Sequence, residues 1–356
     1  MKKVLSLVLA IILVLVQGVS LAGCDKKPKL NKFSDYYFDY FDTVTTIVGY
    51  EENEEEFKAV CEDVKEQLNE YHRLFTIYNR YEGLNNLVTI NDLVDGKHTE
   101  VTVDEKIIDM LTFAKEMYAK TNGNVNIAMG SVLKIWHIYR NEGLDDPSNA
   151  QLPPMEKLQE AAKHTNIENL IIDNEKNTVY LADPEMTLDV GAIAKGYAAE
   201  KIAEYLENKG ITGYLLNLGG NVRTIGDTGE KPWNVGIENP DTANEEKTYI
   251  EFLHLQGESL VTSGTYQRFY VVNGENYHHI IDPATLMPGT KYRSVSVLTD
   301  DSGLGDAMST ALFLMSYEDG MALVKSMPNV EAMWVLPDGE QRYSDGFKSY
   351  TYIPEE

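Results

Sequence analysis

Asp306 and Thr310 stand four residues apart in Gly305-Asp-Ala-Met-Ser309-Thr310, a spacing that sets a carboxylate and a hydroxyl on one helix face. Two hard oxygens so placed suit a cation such as Mg²⁺, although an Asp at that point can equally serve as a helix cap. A second candidate group is Tyr277-His278-His279-Ile280-Ile281-Asp282-Pro283. In a strand the two histidines face opposite sides, so only one of them can share a pocket with a site. Such a histidine can also be purely structural. In Leu188-Asp-Val-Gly-Ala-Ile-Ala-Lys-Gly-Tyr197, Gly191 and Ala192 permit close backbone approach, and the helix that follows offers free N–H groups to an anion. Asn217-Leu-Gly-Gly-Asn221 lets a backbone turn near a ligand. Tight packing and turn chemistry explain these two segments equally well.

More familiar chemistry is excluded. Gly191-Ala-Ile-Ala-Lys195-Gly196 has Walker-like spacing, but Lys precedes the second Gly instead of following it to reach the phosphates. The sequence contains no G-x-G-x-x-G after a strand, no H-E-x-x-H, no G-x-S-x-G and no C-x-x-C. Its two cysteines cannot form a disulfide scaffold. Cys61 lies on the apolar stripe of a helix pattern and reads as core. With 31 Lys+Arg against 56 Asp+Glu, the net charge is −25, which repels phosphate backbones and argues against nucleic-acid binding.

The elements that must position these groups read as α+β. Tyr37–Tyr50 alternates as a strand, and Glu54–Leu74 is an amphipathic helix with Glu on its outer face. Asp104 caps a helix running to Lys120, with Gly123 just past its end. Leu170–Asp173 and Thr178–Leu181 form a hairpin, as do Arg268–Val272 and Glu275–Ile281 around Asn273-Gly274. Lys195–Asn208 is a helix stopped by Gly210, Tyr214–Leu218 is a strand, and Gly303–Tyr317 is a last long helix. Strands and helices do not alternate strictly, which argues against a doubly wound sheet. At the N-terminus, Lys2 and Lys3 precede an apolar run from Val4 to Val16 and then small residues, the order of a secretory signal. Leu21-Ala22-Gly23-Cys24 resembles the lipobox of bacterial lipoproteins, in which the Cys becomes the lipidated first residue. The expected organisation is a signal peptide over 1–23, a lipid-proximal tether over 24–36 carrying Lys26, Lys27, Lys29 and Lys32, and one domain over 37–356.

Leu188–Tyr197, Asn217–Asn221, Thr262-Ser-Gly-Thr-Tyr-Gln-Arg268, His278–Pro288 and Gly305–Thr310, in this order, resemble the motifs of the ApbE family, the FAD:protein FMN transferases. The resemblance implies a single domain of mixed, largely antiparallel sheet with packed helices. It also implies a reaction: FAD is split at its diphosphate, FMN is joined by a phosphoester to a Thr or Ser hydroxyl of an acceptor protein, and AMP leaves. Carried over by motif position, Asp306, Thr310, Ser309 and the Ala192 carbonyl correspond to the Mg²⁺ site. Asp189, Lys195 and Ile281 correspond to FAD contacts, as do Val44, Tyr78, Asn124, Val125 and Asn126, and His279 corresponds to the general base. The chain departs from the pattern in having Val44 for a Met, Val125-Asn126-Ile127-Ala128 for F-D-x-T, Ser309 for an Asp of some relatives, and Leu286 for a Gly. The acceptors implied are membrane redox subunits exposed outside the cytoplasmic membrane, with the enzyme lipid-anchored through Cys24 on the same face. A lipid-anchored protein that holds FAD for electron transfer would share the cofactor pocket but leave His279, Asp306 and Thr310 without a task. A solute-binding lipoprotein would show two α/β lobes.

Overall fold

A computed structural model of the chain describes residues 29–244 and 247–354. The signal peptide and Cys24 lie outside the described residues. In chain order the structure begins with β1 (Asn31–Tyr40), β2 (Thr43–Glu51), α1 (Glu54–Phe75), α2 (Leu87–Asn91), β3 (Val101–Thr102), α3 (Glu105–Lys120), α4 (Gly130–Asp145) and α5 (Met155–Ala161). Next come β4 (Leu170–Asp173), β5 (Thr178–Leu181), α6 (Ala194–Asn208), β6 (Tyr214–Leu218), β7 (Asn221–Ile225), β8 (Trp233–Glu238), β9 (Tyr249–Leu255) and β10 (Ser259–Gly264). The chain finishes with β11 (Phe269–Val272), β12 (Glu275–His278), β13 (Ser294–Thr299), α7 (Ser302–Leu314), α8 (Tyr317–Ser326), β14 (Glu331–Val335) and β15 (Gln341–Tyr343).

One eight-stranded sheet in the order β1-β2-β6-β7-β10-β13-β14-β15 organises the molecule, and every pairing within it is antiparallel. The two-residue period of its strands divides two cores. Ile47, Leu216, Val297 and Trp334 point toward the helical layer, whereas their neighbours Val48, Leu215, Leu298 and Val335 meet the β8–β9 hairpin and Phe347 on the other face. α7 is the buried helix of the layer: among its residues only Leu304 and Thr310 are not buried. It packs against α6 on one side and on β10 and β13 below. The α6–α7 approach depends on Gly196, where a Cβ would overlap the Ser302 carbonyl oxygen and the Asp306 side chain.

The helix expected over Glu54–Leu74 forms over Glu54–Phe75, the Asp104 cap and both hairpins form at the places read from sequence, and the return strand of the second hairpin stops at His278 instead of Ile281. Three readings differ. Tyr37–Tyr50, expected as one strand, is the antiparallel pair β1 and β2, broken at Phe41-Asp42, where both residues turn into the left-handed region. β1 starts at Asn31, inside the stretch expected to be tether, and pairs in register with β2 as far as Glu51. The expected helix from Gly303 to Tyr317 is two helices. Met315 is extended (φ −77°, ψ 163°), and the Ser316 side chain accepts from the Asp319 N–H to cap α8.

Candidate functional site

The loops at one end of the sheet surround a cleft of about 710 Å³, within the range of small-molecule sites. The β1–β2 turn places Phe41 and Asp42 on its rim, both in the left-handed region (φ 53° and 50°). The β6–β7 turn contributes Gly219 and Asn221. Gly219 has φ +59°, and a Cβ there would overlap the Thr43 side chain, so the Gly of Asn217–Asn221 is required by geometry.

Two adjacent helices supply the oxygen-rich end. Asp306 is almost fully buried on α7; its Oδ2 accepts from the Gly196 N–H at 2.8 Å and lies 3.8 Å from Lys195 Nζ. Burial pushes its carboxyl above the ordinary range, opposed by Lys195, the Gly196 N–H and Asn221. One turn on, Thr310 lines the same wall, its hydroxyl 3.4 Å from Ser263 Oγ. Ala192 completes that side. Among the described residues no group of three or more His, Cys, Asp or Glu could hold a metal. The donors gathered here are instead one carboxylate, a hydroxyl, backbone carbonyls and the buried Asn221 Oδ1, which has no hydrogen-bond partner. An all-oxygen set with an unpaired member fits a hard cation such as Mg²⁺ and not a soft one.

His279 faces the cleft just beyond β12, while His278 turns into the core. His278 Nε2 contacts the Gly289 carbonyl at 2.7 Å, its Nδ1 accepts from the Ile280 N–H, and its ring meets Phe313 edge-on. The two histidines divide as strand alternation requires. His279 Nδ1 lies 3.3 Å from the Arg268 carbonyl. A carbonyl only accepts, so the ring proton sits on Nδ1 and the Nε2 lone pair is free. His279 is solvent-exposed in the open cleft; partial desolvation by the surrounding walls, then Arg268 and Lys195, lower the pKa of this imidazole and favour its neutral form.

The remaining wall comes from the segments around α1, α3 and α6. Asp189 is positioned by its own N–H donating to the Ile127 carbonyl and by its Oδ1 accepting from Gly191 N–H, both within 2.9 Å. Asn91 holds the preceding Leu188 through two hydrogen bonds. Val125 and Asn126 follow α3; the Asn126 amide caps the next turn at Ala128 and donates to the Thr165 carbonyl. Tyr78, Asn124 and Ile281 also line the cleft. Leu286, where the family pattern has Gly, sits at φ 61°, the backbone geometry that Gly favours.

Two residues carried over by motif do not reach the cleft wall. Val44 is exposed beside it, and its neighbour Thr43 takes the lining position. Ser309 is fully buried behind the wall, donating to the Asp306 carbonyl at 3.0 Å and meeting Ser263 Oγ at 2.9 Å. Its oxygen is used inside the protein, and the half-buried Ser263 lines the cleft in its place. Sequence reasoning missed His137 and Arg140 of α4 and assigned no role to Arg268 or Asn221, although all four line the cleft. The available signal was Val132 and Trp136 spaced i, i+4, which buries one seam of α4 and turns the adjoining His137 toward the site.

This fold and cleft define a class that comparison with known proteins makes specific. The ApbE family model matches residues 41–334. A FAD:protein FMN transferase of Klebsiella pneumoniae is 32% identical over 272 residues, 74% of this chain and 81% of its own. One from Treponema pallidum is 34% identical over 261 residues, 69% of this chain and 70% of its own. The crystal structure of the ApbE protein from Thermotoga maritima superposes with a TM-score of 0.77 at 27% identity, covering 91% of this chain and all of that one. The chain belongs to the ApbE family.

Proposed function

We propose that this FAD:protein FMN transferase joins the FMN of FAD to a Thr or Ser hydroxyl of its acceptor; the names of its relatives give, for them, the transfer of FMN from FAD to a protein. The observation that carries this reading is the opening of a neutral, tautomerically fixed His279 and the Asp306–Thr310 oxygen set into one cleft. The acceptor oxygen attacks the phosphorus of the FMN half, the bond from that phosphorus to the oxygen bridging it to AMP breaks, and AMP leaves with that oxygen. His279 Nε2 takes the hydroxyl proton. Asp306, Thr310, the Ala192 carbonyl and Asn221 are the residues that would hold Mg²⁺, which when bound neutralises charge on the diphosphate. Lys195 adds a fixed positive charge beside that carboxylate. Tyr78 offers a ring face for a planar flavin, and Asp189 can accept from flavin or ribityl donors.

The acceptors we infer are membrane redox subunits carrying an exposed Thr/Ser motif, met on the extracytoplasmic face by an enzyme anchored through lipidated Cys24. Fractionation of a Cys24→Ala variant tests the anchor: release from membranes supports it, and unchanged membrane retention contradicts it. The activity is tested by incubating the protein, FAD and Mg²⁺ with an acceptor and following AMP and acceptor mass together. AMP without an acceptor mass increment marks a FAD pyrophosphatase; neither product marks a FAD-holding carrier.

A further inference from the structure

Three side chains from separate parts of the chain meet on the cleft wall away from the Asp306 carboxylate. Tyr78 follows α1, His137 is on α4, and Asp189 precedes α6. Tyr78 Oη lies 3.3 Å from His137 Nδ1, the two rings are tilted with centroids 6.3 Å apart, and His137 Nε2 lies 3.9 Å from Asp189 Oδ2. Asp189 is buried and His137 largely so, whereas the Tyr78 ring is 60% exposed toward the opening. The polarity of the row follows from its ends. At 3.9 Å the Asp189 carboxylate is beyond hydrogen-bond reach of Nε2, but its charge favours the tautomer with the proton on Nε2, which leaves Nδ1 to accept from the Tyr78 hydroxyl. The surrounding cleft walls and the Asp189 carboxylate push the phenol pKa up to about 12 although the ring itself is exposed, and burial disfavours a charged imidazole at His137, with Arg140 and Arg268 adding to this against Asp189.

We propose that His137 is a positioning residue for the flavin: its Nδ1 holds the hydroxyl of Tyr78, fixing the plane of an otherwise exposed ring against which the isoalloxazine packs. This rests on the reading of the cleft as a FAD site. A solvent-exposed Tyr anchored at its hydroxyl has already lost the rotational freedom that stacking would otherwise remove, so the ligand binds a preorganised face. His137 acts through Tyr78 and needs no contact with the transferred phosphorus.

Equilibrium titration of the full chain with FAD and, separately, with ADP distinguishes this role from a general packing one. ADP shares the adenosine diphosphate half and lacks the flavin. His137→Ala is expected to weaken FAD binding by about three- to tenfold, the worth of one net hydrogen bond, and to leave ADP affinity within about twofold. His137→Gln, which can both donate and accept, is expected to recover most of the loss. In a Tyr78→Phe background, which removes the tie at its other end, His137→Ala should add less than about twofold. Unchanged FAD affinity, an equal loss for ADP, or full additivity with Tyr78→Phe would each overturn the proposal. Failure of the wild-type chain to flavinylate any acceptor while it still binds FAD would count against the transferase reading and leave this binding test intact.

Discussion

If His279 is the base, lowering the pH should inhibit the enzyme far less than an ordinary histidine would allow. With an unperturbed pKa near 6.5 an imidazole is about nine-tenths neutral at pH 7.5 and about one-tenth neutral at pH 5.5, giving about a tenfold fall in rate. Here desolvation, Arg268 and Lys195 depress the value, and anything below about 5 keeps most of the population neutral at pH 5.5. kcat/KM reports the free enzyme and should therefore change less than about twofold across that interval. His72, His137 and His278 are pushed in the same direction by burial, so none of them supplies a limb near 6.5. His279→Asn should lower acceptor flavinylation by roughly 10²–10⁴-fold throughout, the usual worth of a positioned base, or about 3–5 kcal/mol of barrier. FAD affinity should be nearly unchanged. The assay is initial-rate flavinylation at fixed Mg²⁺ against pH, with FAD binding measured in parallel. A tenfold acid limb centred near pH 6.5 that disappears in His279→Asn would refute the desolvation argument; a variant defective mainly in FAD binding would refute the assignment of the base.

Other substitutions read different parts of the site. Asp306→Asn keeps the volume and the Gly196 hydrogen bond but removes the charge, so Mg²⁺-dependent AMP release should fall to background while the melting temperature holds; full activity at unchanged Mg²⁺ demand would count against the metal assignment. Gly196→Ala forces a methyl into the Ser302 carbonyl and the Asp306 side chain and should cost about 1–3 kcal/mol, with a raised Mg²⁺ requirement as α6 and α7 separate, both readable from denaturation midpoints and Mg²⁺ titration. Glu200 makes a bidentate ion pair with the buried Arg223 at 2.9 and 3.0 Å and accepts from the Ser302 N–H at the start of α7. Glu200→Gln leaves that guanidinium short of countercharge and should destabilise by about 3 kcal/mol in thermal or denaturant unfolding.

Secondary structure was legible wherever it had strong local punctuation. Asn273-Gly274 and Asn174–Asn177 announce their hairpins, and the Asp104 cap fixes the start of α3. The site was legible as motifs, because Gly196 and Gly219 stand where any Cβ would overlap a neighbouring element. What sequence could not give was direction. Ser309 and Thr310 are adjacent on α7, yet one turns into the protein and the other to the cleft, a result set by where α7 rests on β10. α4 escaped notice because, apart from two glycines, its buried residues are only Val132 and Trp136, while Ile138 and Leu144 are exposed. That oversight hid His137 and Arg140. The start of β1 reads as tether because it continues the basic stretch Lys26–Lys32; it is an edge strand, exposed at six of its ten residues, and edges tolerate such residues.

The central claim is that one cleft both cleaves the diphosphate of FAD and joins the FMN half to a protein hydroxyl. Mass spectrometry of an acceptor incubated with the protein, FAD and Mg²⁺, with AMP quantified in the same samples, tests it most directly. One FMN phosphoester on a Thr or Ser per AMP released is expected, abolished by Asp306→Asn and reduced by His279→Asn. AMP release without acceptor modification, or modification that survives Asp306→Asn at the wild-type rate, would contradict it.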